Sequence, residues 1–408
     1  MNDTTDSRER LESRRAWREK ARARQNRSSA WLVEQARHEA GAEDGEFVRP
    51  SSLARCHWPL GRVGVQLVDG KAAFRNLEHC HSSWACPYCT PLIRSQHAVE
   101  LQEAVDEWGR EPEHRLLFVT LTCPHRLRDP LAASFARVNA AWSGMNGSGA
   151  FAKFRRAHGV RHWVRAIEVT WSAANGWHAH AHALLFLDGP APDIEGMRDE
   201  LYLMWSGAVV ARGGRKPSRR RGVDCTMVAE SPEQVASYLS KAPDHDHVSD
   251  EITRMDNKQG RGPLSFGPFE LLDEPAGDMI GSGKAKRLWL EYASATKGGH
   301  SLTWSGGMRD ALGLGREKSD RQIIEDANSG NLVFDLEPKA YRRLAKNPNM
   351  LSQFQKYVET GEVPLALQLL AYTAGESQRQ GPAPSSTASS HGGNGMRDPG
   401  NSPMDDRL

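Results

Sequence analysis

The sequence predicts an α+β fold in which a central antiparallel sheet is flanked by helices, and three observations carry that reading. Short β-branched and aromatic runs recur at residues 116–122, 163–170 and 178–187. Stretches with helical spacing lie between and beyond them, but not in the regular strand–helix alternation of a doubly wound sheet. Between the second and third runs, Ser172-Ala173-Ala174-Asn175-Gly176 reads as a hairpin turn, which makes the flanking strands antiparallel neighbours.

Taken in order, residues 1–45 mix Arg with Glu and Ala and are expected to form a basic N-terminal arm, partly disordered, with a solvated helix as the other reading. Its charges make either a solvated face or a contact with DNA backbone. Residues 46–100 hold four of the six cysteines and are expected to form a small zinc-binding module. Helical spacing begins within it, at Ile93, Val99, Leu101, Ala104 and Val105. Residues 101–295 carry the main domain: a strand at 116–122 between Pro112 and Pro124, helical stretches at 131–155 and 194–210, a strand at 222–228 and a helix from Pro232. Residues 296–372 are expected to be a small helical region, with stretches at 308–327 and 338–370. From 373 the chain is rich in Ser, Gly, Pro and Gln and reads as a disordered tail.

Composition sets limits on function. The 408 residues are enough for two or three domains, and 38% apolar content suggests a folded centre diluted by polar tails. With a net charge of only +2, any affinity for nucleic acid must come from local clusters. Two exist: nine Arg or Lys in the first 27 residues, and Arg212, Arg215, Lys216, Arg219, Arg220 and Arg221 within ten residues. No apolar run spans a membrane, and the polar amino terminus lacks a signal-peptide core, so the expected location is the cytoplasm. Thiols there stay reduced, which favours metal ligands or buried thiols over disulfides.

The chemistry-bearing residues begin with Trp177-His178-Ala179-His180-Ala181-His182. Strand residues two apart share a face, so the three imidazoles project together, followed by Leu184 and Phe186. Each needs a polar partner, and a divalent metal is a common one. The five-residue turn brings Glu168 onto the same face from the preceding strand. Two imidazoles and a carboxylate leave open positions for a phosphate oxygen. Downstream, Ser231-Pro232-Glu233-Gln234 has the pattern of a helix start, with Val235, Tyr238 and Leu239 on one face and Lys241 three residues further. A tyrosine beside a metal site can attack a phosphodiester, with the lysine offsetting the developing charge. Finally, Cys80, Cys86 and Cys89, with Cys56 upstream, have the makings of a structural zinc site, with His57, His79 and His81 as alternate ligands. Buried, reduced thiols are the other reading of this set. Cys123 and Cys225 sit in or beside strands and read as buried thiols.

The ordered set Phe118-Val-Thr-Leu-Thr122, Glu168-Val-Thr170, Trp177 to His182 and Tyr238-Leu-Ser-Lys241 resembles the HUH endonucleases, in particular the single-tyrosine rolling-circle replication initiators of Gram-positive and actinobacterial plasmids. Residues 292–308 also resemble actinobacterial members. The resemblance implies an HUH-type nuclease domain that binds the plasmid double-strand origin and captures a hairpin or single strand there. It implies His180 and His182 as a Mg²⁺ or Mn²⁺ pair with Glu168 as third ligand, and Tyr238 as the nucleophile that forms a 5′-phosphotyrosine. The freed 3′ hydroxyl would prime a host polymerase, with a host helicase opening the duplex. His178 lies one step outside the usual pair and is left as a ligand, a group bonded to a ligand, or a general base. In this family a glutamate four residues before the tyrosine activates the terminating water, but here that position is Gln234. Glu233, one residue earlier, lies about 100° further round the helix, and Glu230 is a further candidate. A relaxase or transposase with the same chemistry is the nearer alternative, although relaxases generally place the tyrosine before the histidines. A zinc-containing DNA-binding regulator without catalysis is the other.

Overall fold

The computed structural model describes residues 2–190, 192–228 and 264–379. The first half of the chain forms α1 (Asn2–Ala40), α2 (Ser52–Arg55), β1 (Pro59–Val68), β2 (Lys71–Leu77), α3 (Cys89–Trp108), β3 (His114–Thr122), α4 (Leu131–Asn146), α5 (Gly149–Ala157), β4 (Val160–Ser172) and β5 (Gly176–Asp188). It is followed by α6 (Ile194–Val210), β6 (Val223–Val228), β7 (Ser265–Phe266), α7 (Glu274–Ile280), α8 (Ser282–Ala295), β8 (Leu302–Trp304), α9 (Met308–Ala311), α10 (Asp320–Ala327), β9 (Asn331–Leu336), α11 (Pro338–Lys346), α12 (Pro348–Glu359) and α13 (Val363–Arg379). No helix among the described residues is long and apolar enough to cross a membrane.

The α+β architecture is the one expected. The larger sheet runs β6-β3-β5-β4-β7, with β8 also paired to β4, and its pairings are all antiparallel. Ser172 pairs with Gly176 across the hairpin, and Gly176 adopts φ +76° where a Cβ would strike the Leu127 carbonyl oxygen at 2.4 Å. Only glycine satisfies both demands. Both faces of the sheet are covered, which is why β5 is buried along almost its whole length. Ala179, Ala181, Ala183 and Leu185 pack one face under α4 and α6, against Val138, Trp142, Leu201 and Trp205. Leu184 and Phe186 pack the other under α3 and α9, against Leu101, Ala104, Trp108 and Met308. Small alanines on the first face let the helices approach closely; the second face carries the histidines at its hairpin end.

A smaller sheet, β2-β1-β9, is backed by α11, α12 and α13 through Val63, Val65, Phe74, Leu336, Leu344 and Phe354. The expected boundaries differ here. The cysteine region and the carboxy-terminal region build one lobe together, because β1 needs β9 as its second neighbour. The boundary at 100/101 falls inside α3, whose Ile93 packs on the cysteines while Leu101 and Trp108 pack on the larger sheet. The boundary at 295/296 also moves, since β8 completes the larger sheet.

The amino-terminal stretch is the clearest departure. It is helical to Ala40, and its cations from Arg14 to Arg27 are spent on the protein itself. Arg18 meets Glu359 at 2.6 Å, Arg24 grips Asp273 with two bonds of 2.7 and 2.6 Å, and Arg22 donates to the Ala345 carbonyl at 2.8 Å. Ser28 accepts from the Trp289 indole at 3.2 Å. The helix ties the small lobe to the large one; from Arg14 to Arg27 it is not a free arm. Smaller differences have local causes. The stretch 131–155 breaks at Gly147-Ser148, where the Ser148 hydroxyl accepts from Phe151 N and starts α5. The stretch 308–327 is likewise two helices, α9 and α10. The stretch 338–370 divides at Asn347-Pro348, an N-cap followed by a proline, and again before α13.

Candidate metal centre and nucleic-acid cleft

The hairpin register brings the candidate acidic and imidazole ligands together on one face, as the sequence predicts. Glu168 on β4 lies directly opposite His180 on β5, and Thr120 on β3 lies opposite His182. Glu168 Oε2 is 3.0 Å from His182 Nε2 and 3.2 Å from His180 Nε2, and the two Nε2 atoms are 3.0 Å apart. All three residues are buried. The Thr120 hydroxyl lies 3.2 Å from His182 Nδ1, and Phe118 stacks on the same imidazole at 5.0 Å, so the ring is held on both its edge and its face.

Three atoms bearing lone pairs converge here, an arrangement that a cation or shared protons must stabilise. Neighbouring ligands of an octahedral ion with bonds near 2.1 Å lie about 3.0 Å apart, and the observed 3.0–3.2 Å separations fit one triangular face of such an ion. Two imidazoles and a carboxylate on one face leave the opposite face open. These residues therefore fit a bound divalent metal.

His178 is not part of that convergence. Its Nδ1 lies 3.3 Å from Nδ1 of His125, a residue just past the end of β3 that the sequence reading did not single out. Burial, then the neighbouring His180 and His125, push His178 down to about 3. Burial also lowers His125. Both rings are neutral at neutral pH, so one nitrogen of each can accept and the other donate.

The two histidines line a cleft of about 570 Å³ together with Thr170, Asn175, Lys216 and Arg221. The basic loop is built to bring its cations there. Pro217 is buried, and its carbonyl accepts from the Tyr202 hydroxyl at 3.0 Å, pinning the loop to α6. Lys216 and Arg221 are exposed on either side of that anchor and face the cleft. Arg215 donates to the His125 carbonyl at 3.0 Å, and Arg220 is exposed. The other two are engaged within the protein: Arg219 pairs with Asp199 at 2.6 Å, and Arg212 lies against Gly144 of α4. Tyr238, Lys241, Glu233, Gln234 and Glu230 lie outside the described residues.

Cys56, Cys80, Cys86 and Cys89 form the other cluster. Their Sγ–Sγ separations include 3.5 Å (Cys56–Cys86), 3.7 Å (Cys56–Cys89) and 3.9 Å (Cys80–Cys89). Four thiolates at about 2.3 Å from a tetrahedral zinc lie about 3.8 Å apart, so this cluster also fits its metal. Among the alternates, His57 and His79 group with Cys56, not with the other thiols. The cluster is enclosed by Ile93 of α3, Ile323 and Ile324 of α10, and Gln25 of α1, which donates to the Cys56 carbonyl at 3.3 Å. Cys123 is buried and Cys225 half-buried; burial raises both thiols to about 12, so neither is a nucleophile at neutral pH.

Comparison with known proteins finds likeness over this same region. Residues 71–190, which carry β2 to β5 and all of Glu168, His180 and His182, match the family model described as "Replication protein". Two curated relatives extend the likeness. "Protein rep" of Streptomyces lividans is 27% identical over 338 residues, covering 67% of this chain and 73% of that protein. "Neomycin resistance protein" of Streptomyces cyanogenus is 27% identical over 315 residues, covering 59% of this chain and 70% of that protein. No solved structure matches the chain.

Proposed function

We propose that the protein is a plasmid replication initiator of the HUH type, which nicks one strand of its origin and remains attached to the 5′ phosphate. The observation that carries this reading is the Glu168–His180–His182 triad beside a cleft whose rim carries Lys216 and Arg221. A hairpin or single strand fits the electrostatics, since clustered cations along the cleft release counterions from the backbone they bind. The likeness to replication proteins supports the same substrate class.

In this reading Glu168, His180 and His182 hold a Mg²⁺ or Mn²⁺ ion, which supplies Lewis acidity to a phosphate oxygen. Lys216 and Arg221 hold the flanking phosphates. Thr120 and Phe118 keep His182 from rotating. Tyr238 gives up its phenolic proton and attacks the scissile phosphorus. The bond to the 3′ oxygen breaks, that oxygen takes up a proton, and a 5′-phosphotyrosine remains. The 3′ hydroxyl then primes a host polymerase as a host helicase opens the duplex. Nine residues lie between Val228 at the end of β6 and Tyr238. With the expected helix from Pro232, that span still reaches about 20 Å, enough to return along β6 to the level of His180.

Incubation with an end-labelled origin oligonucleotide and Mn²⁺ is expected to give a protein–DNA adduct that survives denaturation. Chelator should suppress it, as should His180→Ala or His182→Ala. An adduct of equal yield with chelator present refutes the metal role.

A further inference from the structure

Two dipeptides face each other at the root of the small sheet: Cys56-His57 just before β1 and His79-Cys80 just after β2. Backbone bonds from His57 N to the Glu78 carbonyl (2.6 Å) and from Glu78 N to the Trp58 carbonyl (2.8 Å) hold them in register. Cys56 and Cys80 join Cys86 and Cys89. His57 and His79 belong instead to a second group with Cys56, in which one ligand atom from each residue lies within 4.8 Å of the other two. His57 is held for this role. It sits in left-handed backbone at φ 66°, its ring stacks on Tyr88 at 3.9 Å, and it meets the His79 ring edge-on at 5.1 Å.

We infer that the cysteine cluster is a two-zinc centre, in which Cys56 bridges a four-thiolate ion and a second ion held by His57 and His79. Charge supports this. One zinc with four thiolates carries two net negative charges, and Cys56, Cys86 and Cys89 are buried, where uncompensated charge is costly. Arg22, the buried cation near Cys56, offsets one of those charges. Two dications, four thiolates and two neutral imidazoles sum to zero within the ligand set itself. Donor type agrees as well, since thiolate and imidazole select zinc over the hard cations suited to carboxylates. Three protein ligands leave the second ion one open position. His81, whose ring lies 6.4 Å from that of His79, is the nearest further imidazole among the described residues.

The test is the zinc content of the full chain against that of His57→Gln/His79→Gln. The double variant is expected to lose one equivalent per chain, while its circular dichroism and the low reactivity of its four clustered thiols stay as in the parent. Equal zinc in the two proteins overturns the inference. If the double variant does not fold, cadmium-113 NMR of the cadmium-loaded parent decides. A mutually coupled pair of resonances, linked through the Cys56 sulfur, is the expected result. Absence of any coupled pair overturns the two-metal centre and leaves a single four-thiolate site.

Discussion

Replacing Glu168 with Gln removes one charge from the triad while keeping the size of the side chain. The carboxylate is buried and lies 3.0 and 3.2 Å from two imidazole nitrogens, so no water replaces it as a ligand without a rearrangement of the hairpin. A unit charge about 2.1 Å from a dication is worth about 4 kcal/mol even at the dielectric constant of water. The amide oxygen recovers part of that. Metal affinity should therefore fall by about 10² to 10³-fold. Titration of Mn²⁺ by calorimetry measures the shift directly, and cleavage against Mn²⁺ concentration should move in parallel and recover at high metal. A dissociation constant within threefold of the parent's refutes the assignment of Glu168 as a ligand.

Three further outcomes follow from the same geometry. Lys216→Ala/Arg221→Ala should weaken single-strand binding and lower the slope of log affinity against log salt by about 1.4, at about 0.7 per phosphate contact; fluorescence anisotropy at several salt concentrations reads this. His178 is held at about 3 when folded against an ordinary 6.5, so the unfolded chain binds the extra proton. Its contribution is complete above pH 6.5 and is lost as pH falls toward 3, at about 1.4 kcal/mol per pH unit. Urea unfolding in chelator should thus show His178→Gln losing about 2 kcal/mol less than the parent between pH 7 and 5. Phe186→Ala should destabilise the protein by about 3–5 kcal/mol, because Phe186 is fully buried against Trp108 and Leu184; the denaturation midpoint measures this.

The centre of the fold is legible in the sequence because its determinants are local. The turn at residues 172–176 fixes the β4–β5 register, and the register alone puts Glu168 opposite His180. What escapes depends on distant partners. Nothing near residues 59–68 announces that β9, more than 260 residues later, completes their sheet. The charges of α1 read as a solvated or DNA-contacting face because Glu359, Asp273 and the Ala345 carbonyl are far along the chain. His125 is a lone histidine after Cys123-Pro124. Its one clue is its position just beyond a strand whose Thr120 and Thr122 pair with the histidine strand. The sequence marks the basic loop only as a cluster of cations and does not distinguish Lys216 and Arg221, at the cleft, from Arg219, bound to Asp199.

The central claim is strand cleavage by a tyrosine beside the metal triad, and Tyr238→Phe tests it most directly. Labelled origin oligonucleotide and Mn²⁺ are added to the variant and the parent, and each is assayed for binding and for a denaturation-resistant adduct. The account predicts that the variant binds within a few-fold of the parent and forms no adduct. An adduct in the Tyr238→Phe protein would contradict it, because another residue must then carry the phosphate.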